Sequence, residues 1–466
     1  MIRQSNSATL DRASTLHPFT PLSAYAHGTS ESTVVETAQG VRITDDTGRV
    51  LIDGFAGLYC VNIGYGRTEV ADAISRQAHR LAFYHCFAGN TTDELARLSS
   101  RIIAMASGNM SKVFYGLSGS DANETQAKLV WYYNNLLGRP RKKKIIARER
   151  AFHGNTVLSG SMTGLNIYHD HMDLPVMGIL RTGVPHFYWG GEPGETEEQF
   201  SERRADELEA LILAHDPETV GAFIGEPVLG TGGIVPPPRG YWAAIQRVLR
   251  KYDILLIVDE VITGFGRTGA MFGCFKYDIE PDLITIAKGL TSAYLPMSGA
   301  IVSEKIYKVM AEAKVANGAF SHGYTYSGHP ISAAAANAVL DIVEREDLPL
   351  QAAETGEYLL DRLHQHFDDL PITAEIRGVG MLAAVEFVAD PATKRRFDPA
   401  LGVGARISKA ARNRGVIARG MPNGDILGFA PPLIMSRADV DEMVEVAGLA
   451  AREVLDELVR EGVSLG

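Results

Sequence analysis

The spacing of apolar residues changes along this chain near Arg67. Before it, "VRITDDTGRVLID" reads as two short strands on either side of an Asp-Thr-Gly turn, which predicts a β-hairpin. After it, "TEVADAISRQAHRLAFY" and "TDELARLSSRIIAMAS" repeat apolar residues at three and four positions and predict amphipathic helices. Between such stretches lie short apolar runs: "KVFYG", "KIIARE", "VGAFIGEP", "ILLIVDE", "LITIAKG" and "GAIV". Strand and helix patterns in alternation predict an α/β fold, with a mostly parallel sheet between layers of helices. Beyond about Pro330 come long helical runs, strands such as "GVGMLAAVEFV" and a closing amphipathic helix, "RADVDEMVEVAGLAAREVLDELVREG". Three parts are expected: an N-terminal segment with the hairpin (1–66), a large domain (67–330) and a smaller α+β C-terminal domain (331–466). The hairpin segment is expected to pack with the small domain.

Composition narrows the class. With 466 residues, 45% hydrophobic and 22% charged, the chain is long and apolar enough for a large packed core. A net charge of −11 argues against nucleic acid or an anionic membrane surface as the main partner. The three cysteines, Cys60, Cys86 and Cys274, are scattered, which fits neither a disulfide framework nor a zinc site and suits a reducing cytoplasm. "MIRQSNSATLDRASTLHPFT" lacks the apolar centre of a signal peptide, and no apolar run approaches the roughly 18 residues of a membrane span. Two charged clusters read as ordinary surface. "RPRKKK" (Arg139 to Lys144) is a solvated face, and "YHDHMD" (His169, Asp170, His171) lacks the further ligands a metal needs.

The candidate chemistry sits at strand ends, where open α/β sheets collect their reactive groups. Asp259 ends "ILLIVDE" and Lys288 ends "LITIAKG", so both are expected in one crevice. A lysine among apolar neighbours is desolvated, its pKa falls, and its neutral amine can form a Schiff base. An ionised aspartate beside a cationic heterocycle completes the pairing that pyridoxal phosphate needs. In "FYGLSGSDANETQ", Ser118, Gly119 and Ser120 lead into a helix expected from near Asp121, whose backbone N–H groups offer an anion site. The plain alternative there is an ordinary helix cap. "RAFHGNT" adds Phe152, a ring able to stack on a flat cofactor, followed by His153.

The motifs "SGSDANE", "FHG", "GEPV", "VDEVITGFGRTG", "IAKGL" and "HGYTYSGHP", in this order, resemble the class III aminotransferases of the fold-type I pyridoxal-phosphate enzymes. The resemblance is strongest to ω-aminotransferases that pair amines with pyruvate, and it spans nearly the whole chain. It implies a seven-stranded, mostly parallel sheet. It implies pyridoxal 5′-phosphate, passing through pyridoxamine 5′-phosphate, with Lys288 as the cofactor-linking, proton-shuttling lysine. Asp259 corresponds to the partner of the ring nitrogen, Val261 to an apolar residue on the ring's other face, and Ser118, Gly119 and Ser120 to the phosphate cup. Phe152 and His153 fall beside the ring, and Glu226 matches a carboxylate that helps order the Asp259 side. Thr325 matches a threonine reaching the phosphate of a neighbouring subunit, with Tyr324 lining that same site. A homodimer with shared active sites is therefore implied, and pairing of dimers into tetramers is left open. Tyr59 and Phe87 fall among the substrate aromatics, and Arg419 where ω-aminotransferases carry a mobile, carboxylate-binding arginine. One departure is Phe152, where the family usually has tyrosine before His-Gly.

Two rivals remain to be weighed. Gly264, Gly266 and Gly269 satisfy G-x-G-x-x-G, the dinucleotide fingerprint, yet Asp259, Glu260 and Ile262 separate them from their strand. Within the family, enzymes of the 4-aminobutyrate or ornithine type that use 2-oxoglutarate compete with the pyruvate reading.

Overall fold

The computed structural model describes residues 6–29, 32–106, 108–314 and 319–466. Residues 1–5 of the segment inspected for a signal peptide lie outside the described residues, and so do 30–31, 107 and 315–318 within the three expected parts.

The early hairpin is a three-stranded antiparallel unit: β1 (Val35–Gln39), β2 (Arg42–Asp45) and β3 (Val50–Asp53). A seven-stranded sheet follows, made of β4 (Met110–Gly116), β5 (Lys144–Arg148), β6 (Ile179–Thr182), β7 (Val220–Gly225), β8 (Leu255–Asp259), β9 (Leu283–Ile286) and β10 (Ser298–Ser303). Its order is β4-β10-β9-β8-β7-β5-β6, with β10 antiparallel to both neighbours and the other pairings parallel. Every residue of β7, β8 and β9 is buried, because helices cover both faces. Alternate residues serve opposite cores. Phe223, Leu256, Val258 and Ile284 pack on one face, and Ala222, Ile224, Leu255, Ile257 and Leu283 on the other.

Of these strands β6 escaped the sequence reading. It is a half-buried edge strand of four residues, and Arg181 interrupts its apolar signal while donating to the carbonyls of Met162 and Thr163. The helix expected from Thr68 through Tyr84 stops at Arg80. Leu81 is extended, and Phe83 and Tyr84 are exposed, against Tyr326 and His85, rather than buried on a helix face.

The C-terminal part holds β11 (Thr373–Val379), β12 (Leu382–Phe387), β13 (Val416–Ile417), β14 (Arg419–Gly420) and β15 (Ile426–Phe429). β11, β12, β15 and β14 form an antiparallel sheet in that order, whereas β13 joins β3 in parallel, pairing Ile417 with Asp53. Val41, Ile52 and Ile63 share a core with Val416, Met443 and Val444 of this part. That pairing carries the turn after β3 and the strand bearing Arg419 to the rim of the main sheet.

Candidate active site

Parallel neighbours end on the same rim, so β7, β8 and β9 deliver their next side chains together. Glu226 follows β7, Asp259 ends β8, and Lys288 stands two residues past β9 with φ of 43°. Lys288, Asp259, Glu226, Phe152, His153 and Val261 line one cavity of about 250 Å³, with Ser118, Gly119 and Ser120 at its edge.

Asp259 is 3% exposed and fixed from three sides. Its Oδ2 accepts from Asn123 Nδ2 at 2.8 Å and faces His153 Nδ1 at 2.8 Å, while Oδ1 accepts from the Val261 N–H at 3.1 Å. Oδ1 retains a free acceptor direction, which a cationic ring N–H requires. Asn123 is held in turn by Thr285 Oγ1, which donates to its Oδ1 at 2.8 Å, and donates a second bond to the His153 carbonyl at 2.8 Å. The sequence reading missed Asn123. Its signal was faint, a polar residue one position from Ala122 and four from Ala127 on a helix that also buries Thr125, Gln126 and Asn134.

Burial pushes the Lys288 amine below its usual range, and the guanidinium of Arg419 adds to that direction, against the pull of Asp259 and Glu226. Its Nζ lies 5.5 Å from the centre of the Tyr59 ring. Burial raises Glu226 in the opposite sense. Glu226 has no direct bond to Asp259 among the described residues and reaches that side through the loop that carries Phe152 and His153. It accepts instead from the N–H groups of Phe152 at 3.0 Å and Gly230 at 2.7 Å, and so fixes two loops at the cavity wall. Asn123 and His153 do the ordering.

The helix Gly119–Leu136 starts two residues before the expected Asp121. Ser118 closes a capping box with Asp121, as the plain reading of an ordinary cap had it, and this leaves the first N–H groups aimed at the cavity. Close approach of backbone is needed here. A Cβ on Gly154, which has φ of 131°, would stand 2.4 Å from Ser159 Oγ and 2.5 Å from Ser120 Oγ, and one on Gly119 would stand 3.0 Å from Val261. The buried Nε2 of His153 has no partner among the described residues. An amine, a carboxylate with a free lone pair, a helix N-terminus and a cavity lined by Phe152 and Val261 together fit a phosphorylated, cationic aromatic aldehyde.

Tyr59 and Arg419 reach the rim from distant sequence. Tyr59 is 2% exposed, and the Arg419 guanidinium lies over Phe55 at 5.5 Å with no carboxylate partner among the described residues. Phe87, Tyr324 and Thr325 are not brought to the cavity of their own chain. Phe87 packs against Gly323, Tyr324 donates to the Asp121 carbonyl at 3.1 Å on the outer side of the helix, and Thr325 is exposed. Gly264, Gly266 and Gly269 lie in consecutive turns that open no helix of phosphate-binding length, which removes the dinucleotide reading. Arg267 among them is fully buried, its pKa pushed down to about 10 by desolvation, and donates to Asn62 Oδ1 at 2.8 Å and to the Pro431 carbonyl.

Comparison with known proteins agrees with this geometry. The family model for Aminotransferase class-III matches residues 24–449. The chain is 67% identical over 456 residues to the uncharacterized aminotransferase y4uB of Sinorhizobium fredii, covering 98% of each chain. It is 55% identical to a diaminobutyrate–2-oxoglutarate transaminase of Halomonas elongata, covering 97% of each. Among solved structures, an omega transaminase from Pseudomonas jessenii in complex with PMP superposes with a TM-score of 0.94 at 42% identity, covering 98% of this chain and 99% of that one. With the family model spanning most of its length, and with the cavity it shows, this chain belongs to the class-III aminotransferases, fold-type I enzymes that work with pyridoxal 5′-phosphate.

Proposed function

We propose that this aminotransferase moves an amino group from a primary amine or ω-amino acid to pyruvate, giving a ketone or aldehyde and alanine. The observation that carries this reading is Arg419: a guanidinium without a carboxylate partner among the described residues, resting on an aromatic face beside Lys288. Such a group binds the single carboxylate of pyruvate in a bidentate fork and can turn aside for an uncharged amine.

When bound, the cofactor supplies the aldehyde that takes up nitrogen and the ring that accepts the electron pair left at Cα. The chain's residues do the rest. Lys288 Nζ, whose neutral form burial favours, would accept the proton from the donor's Cα and return it at the other end of the exchanged C–N unit. Asp259 would hold the proton on the ring nitrogen through Oδ1, its other oxygen being committed to Asn123 and His153. The N–H groups opening the helix at Gly119 would hold the phosphate.

The reading includes a homodimer, because Phe87, Tyr324 and Thr325 stand away from their own cavity, where they can serve a partner's. It also includes the division into an N-terminal segment, a large cofactor domain and a small C-terminal domain. A cytoplasmic setting is supported by three free cysteines.

A 2-oxoglutarate acceptor is the second reading, favoured by the name of the Halomonas relative. Its distal carboxylate calls for another cation. The other guanidinium acting on Tyr59, Arg267, is buried and already committed to Asn62 and Pro431. The test is the visible spectrum of the holoenzyme after bleaching with an amine donor. Return of the band with pyruvate supports the first reading, and return with 2-oxoglutarate alone replaces it with the second.

A further inference from the structure

β3 ends at Asp53, a carboxylate to which the mechanism above gives no task. It is 2% exposed and makes no direct ion pair among the described residues, the buried Arg267 acting on it only through space. A buried charge of this kind is tolerated only when its oxygens are well hydrogen-bonded. Oδ1 accepts from the Phe55 N–H at 3.0 Å, and Oδ2 accepts from the Gly57 N–H at 2.6 Å and the Tyr65 hydroxyl at 2.6 Å.

The backbone so gripped is strained. Ala56, Gly57 and Tyr59 have φ of 45°, 63° and 64°, a region that side-chain-bearing residues rarely occupy. The turn also has little room to shift, since a Cβ on Gly54 would stand 2.5 Å from the Ile417 carbonyl. It displays two rings, Phe55 and Tyr59, with centroids 4.4 Å apart. Arg419 lies over the first and Lys288 over the second, each at 5.5 Å. An arginine and a lysine with different tasks thus rest on adjoining rings of one turn, the guanidinium attracted by its ring face.

We infer that Asp53 is a positioning residue that sets Arg419 and Lys288 relative to each other through the Phe55–Tyr59 pair. The inference rests on the proposed role of Arg419 as the carboxylate clamp for the keto acid. A turn that only closed a hairpin would need no charged acceptor serving three donors. Here the charge-assisted bonds hold a strained conformation, and that conformation presents the rings.

The deciding experiment compares Asp53→Asn, Tyr65→Phe and Arg419→Ala holoenzymes with the parent. Asn offers one acceptor oxygen where Asp offers two, so one backbone N–H of the turn loses its bond. For Asp53→Asn we expect the KM for pyruvate, and the calorimetric Kd for propionate as an unreactive monocarboxylate, to rise roughly tenfold, the usual weight of one charge-assisted hydrogen bond. The acidic limb of the donor half-reaction's pH profile should also move to higher pH, as Lys288 regains water. Tyr65→Phe should act in the same directions with smaller shifts, and it decides alone if the Asp53 variant does not fold. Unchanged pyruvate KM and propionate Kd in both variants, with both raised in Arg419→Ala, would overturn the inference. If Arg419→Ala changes neither quantity, the keto-acid reading itself fails and the inference falls with it.

Discussion

The two walls of the cavity are built on different principles. On the inner wall, neighbouring parallel strands present Glu226, Asp259 and Lys288 from a continuous backbone ladder, and Asn123 and His153 lock Asp259 in place. On the outer wall, Phe55 and Tyr59 arrive from the turn after β3 and Arg419 from the short strand β14, at opposite ends of the chain. The contact between Tyr59 and Met421 bridges 362 positions. The inner wall is therefore rigid by construction, whereas the outer one is held by side-chain packing and a strained turn. A fixed wall suits the bond-making groups, which need one geometry for every substrate. An adjustable wall suits selection between a carboxylate and an uncharged amine.

Substitutions can break or sharpen this contrast. Lys288→Ala should have the largest effect, a fall in turnover of about 10⁴-fold or more, since both the nucleophile and the proton carrier are lost. Cofactor should still be retained through phosphate contacts, as gel filtration and absorbance would reveal; near-normal turnover would end the assignment of Lys288. Asp259→Asn should lower kcat by about 10²–10³-fold, the scale of one lost electrostatic group in a dry site. For Arg419→Ala we expect a KM for pyruvate raised roughly tenfold or more, with little change for a neutral aromatic amine. Steady-state kinetics on both substrates checks this, and equal changes on the two would erase the division of labour between the walls. Asn123→Ala should slow kcat by roughly tenfold while leaving both KM values near normal, because Asp259 keeps two of its three contacts.

The smallest expected effect is on pH dependence. The folded pKa of Lys288 lies below its ordinary 10.5, so the donor half-reaction should gain rate as pH rises through that lowered value and then level off. The sign for stability of the cofactor-free protein follows from proton binding. Between the two pKa values the unfolded chain binds more protons, so stability should rise with pH across that window. Chemical denaturation at a series of pH values, with Lys288→Met as the flat reference, measures it.

Much of the inner wall was legible because strand-end chemistry leaves a local trace. Asp259 and Lys288 each close a fully apolar run, and the Ser118-Gly119-Ser120 stretch announces a helix start. Asn123 left a fainter trace, one of several buried polar residues on its helix, and its role depends on a strand 162 residues away that supplies Thr285. Glu226 was found, but its partners, the Phe152 and Gly230 N–H groups, were not, since sequence order cannot tell which neighbour a buried carboxylate will face. β6 was missed because an edge strand carries charge and needs only one apolar face.

The sequence by itself determined the α/β class, the family and the residues with intrinsic chemistry. Periodicity, strand-end placement and short motifs are local properties, and local properties survive in one dimension. Only the tertiary structure decided which oxygen of Asp259 stays free, how the turn after Asp53 brings two rings under Lys288 and Arg419, and that Phe87 stands outside its own cavity. Those outcomes depend on hydrogen-bond geometry and on contacts between segments hundreds of residues apart. Such contacts are fixed by packing the whole chain, and no stretch of sequence encodes them alone.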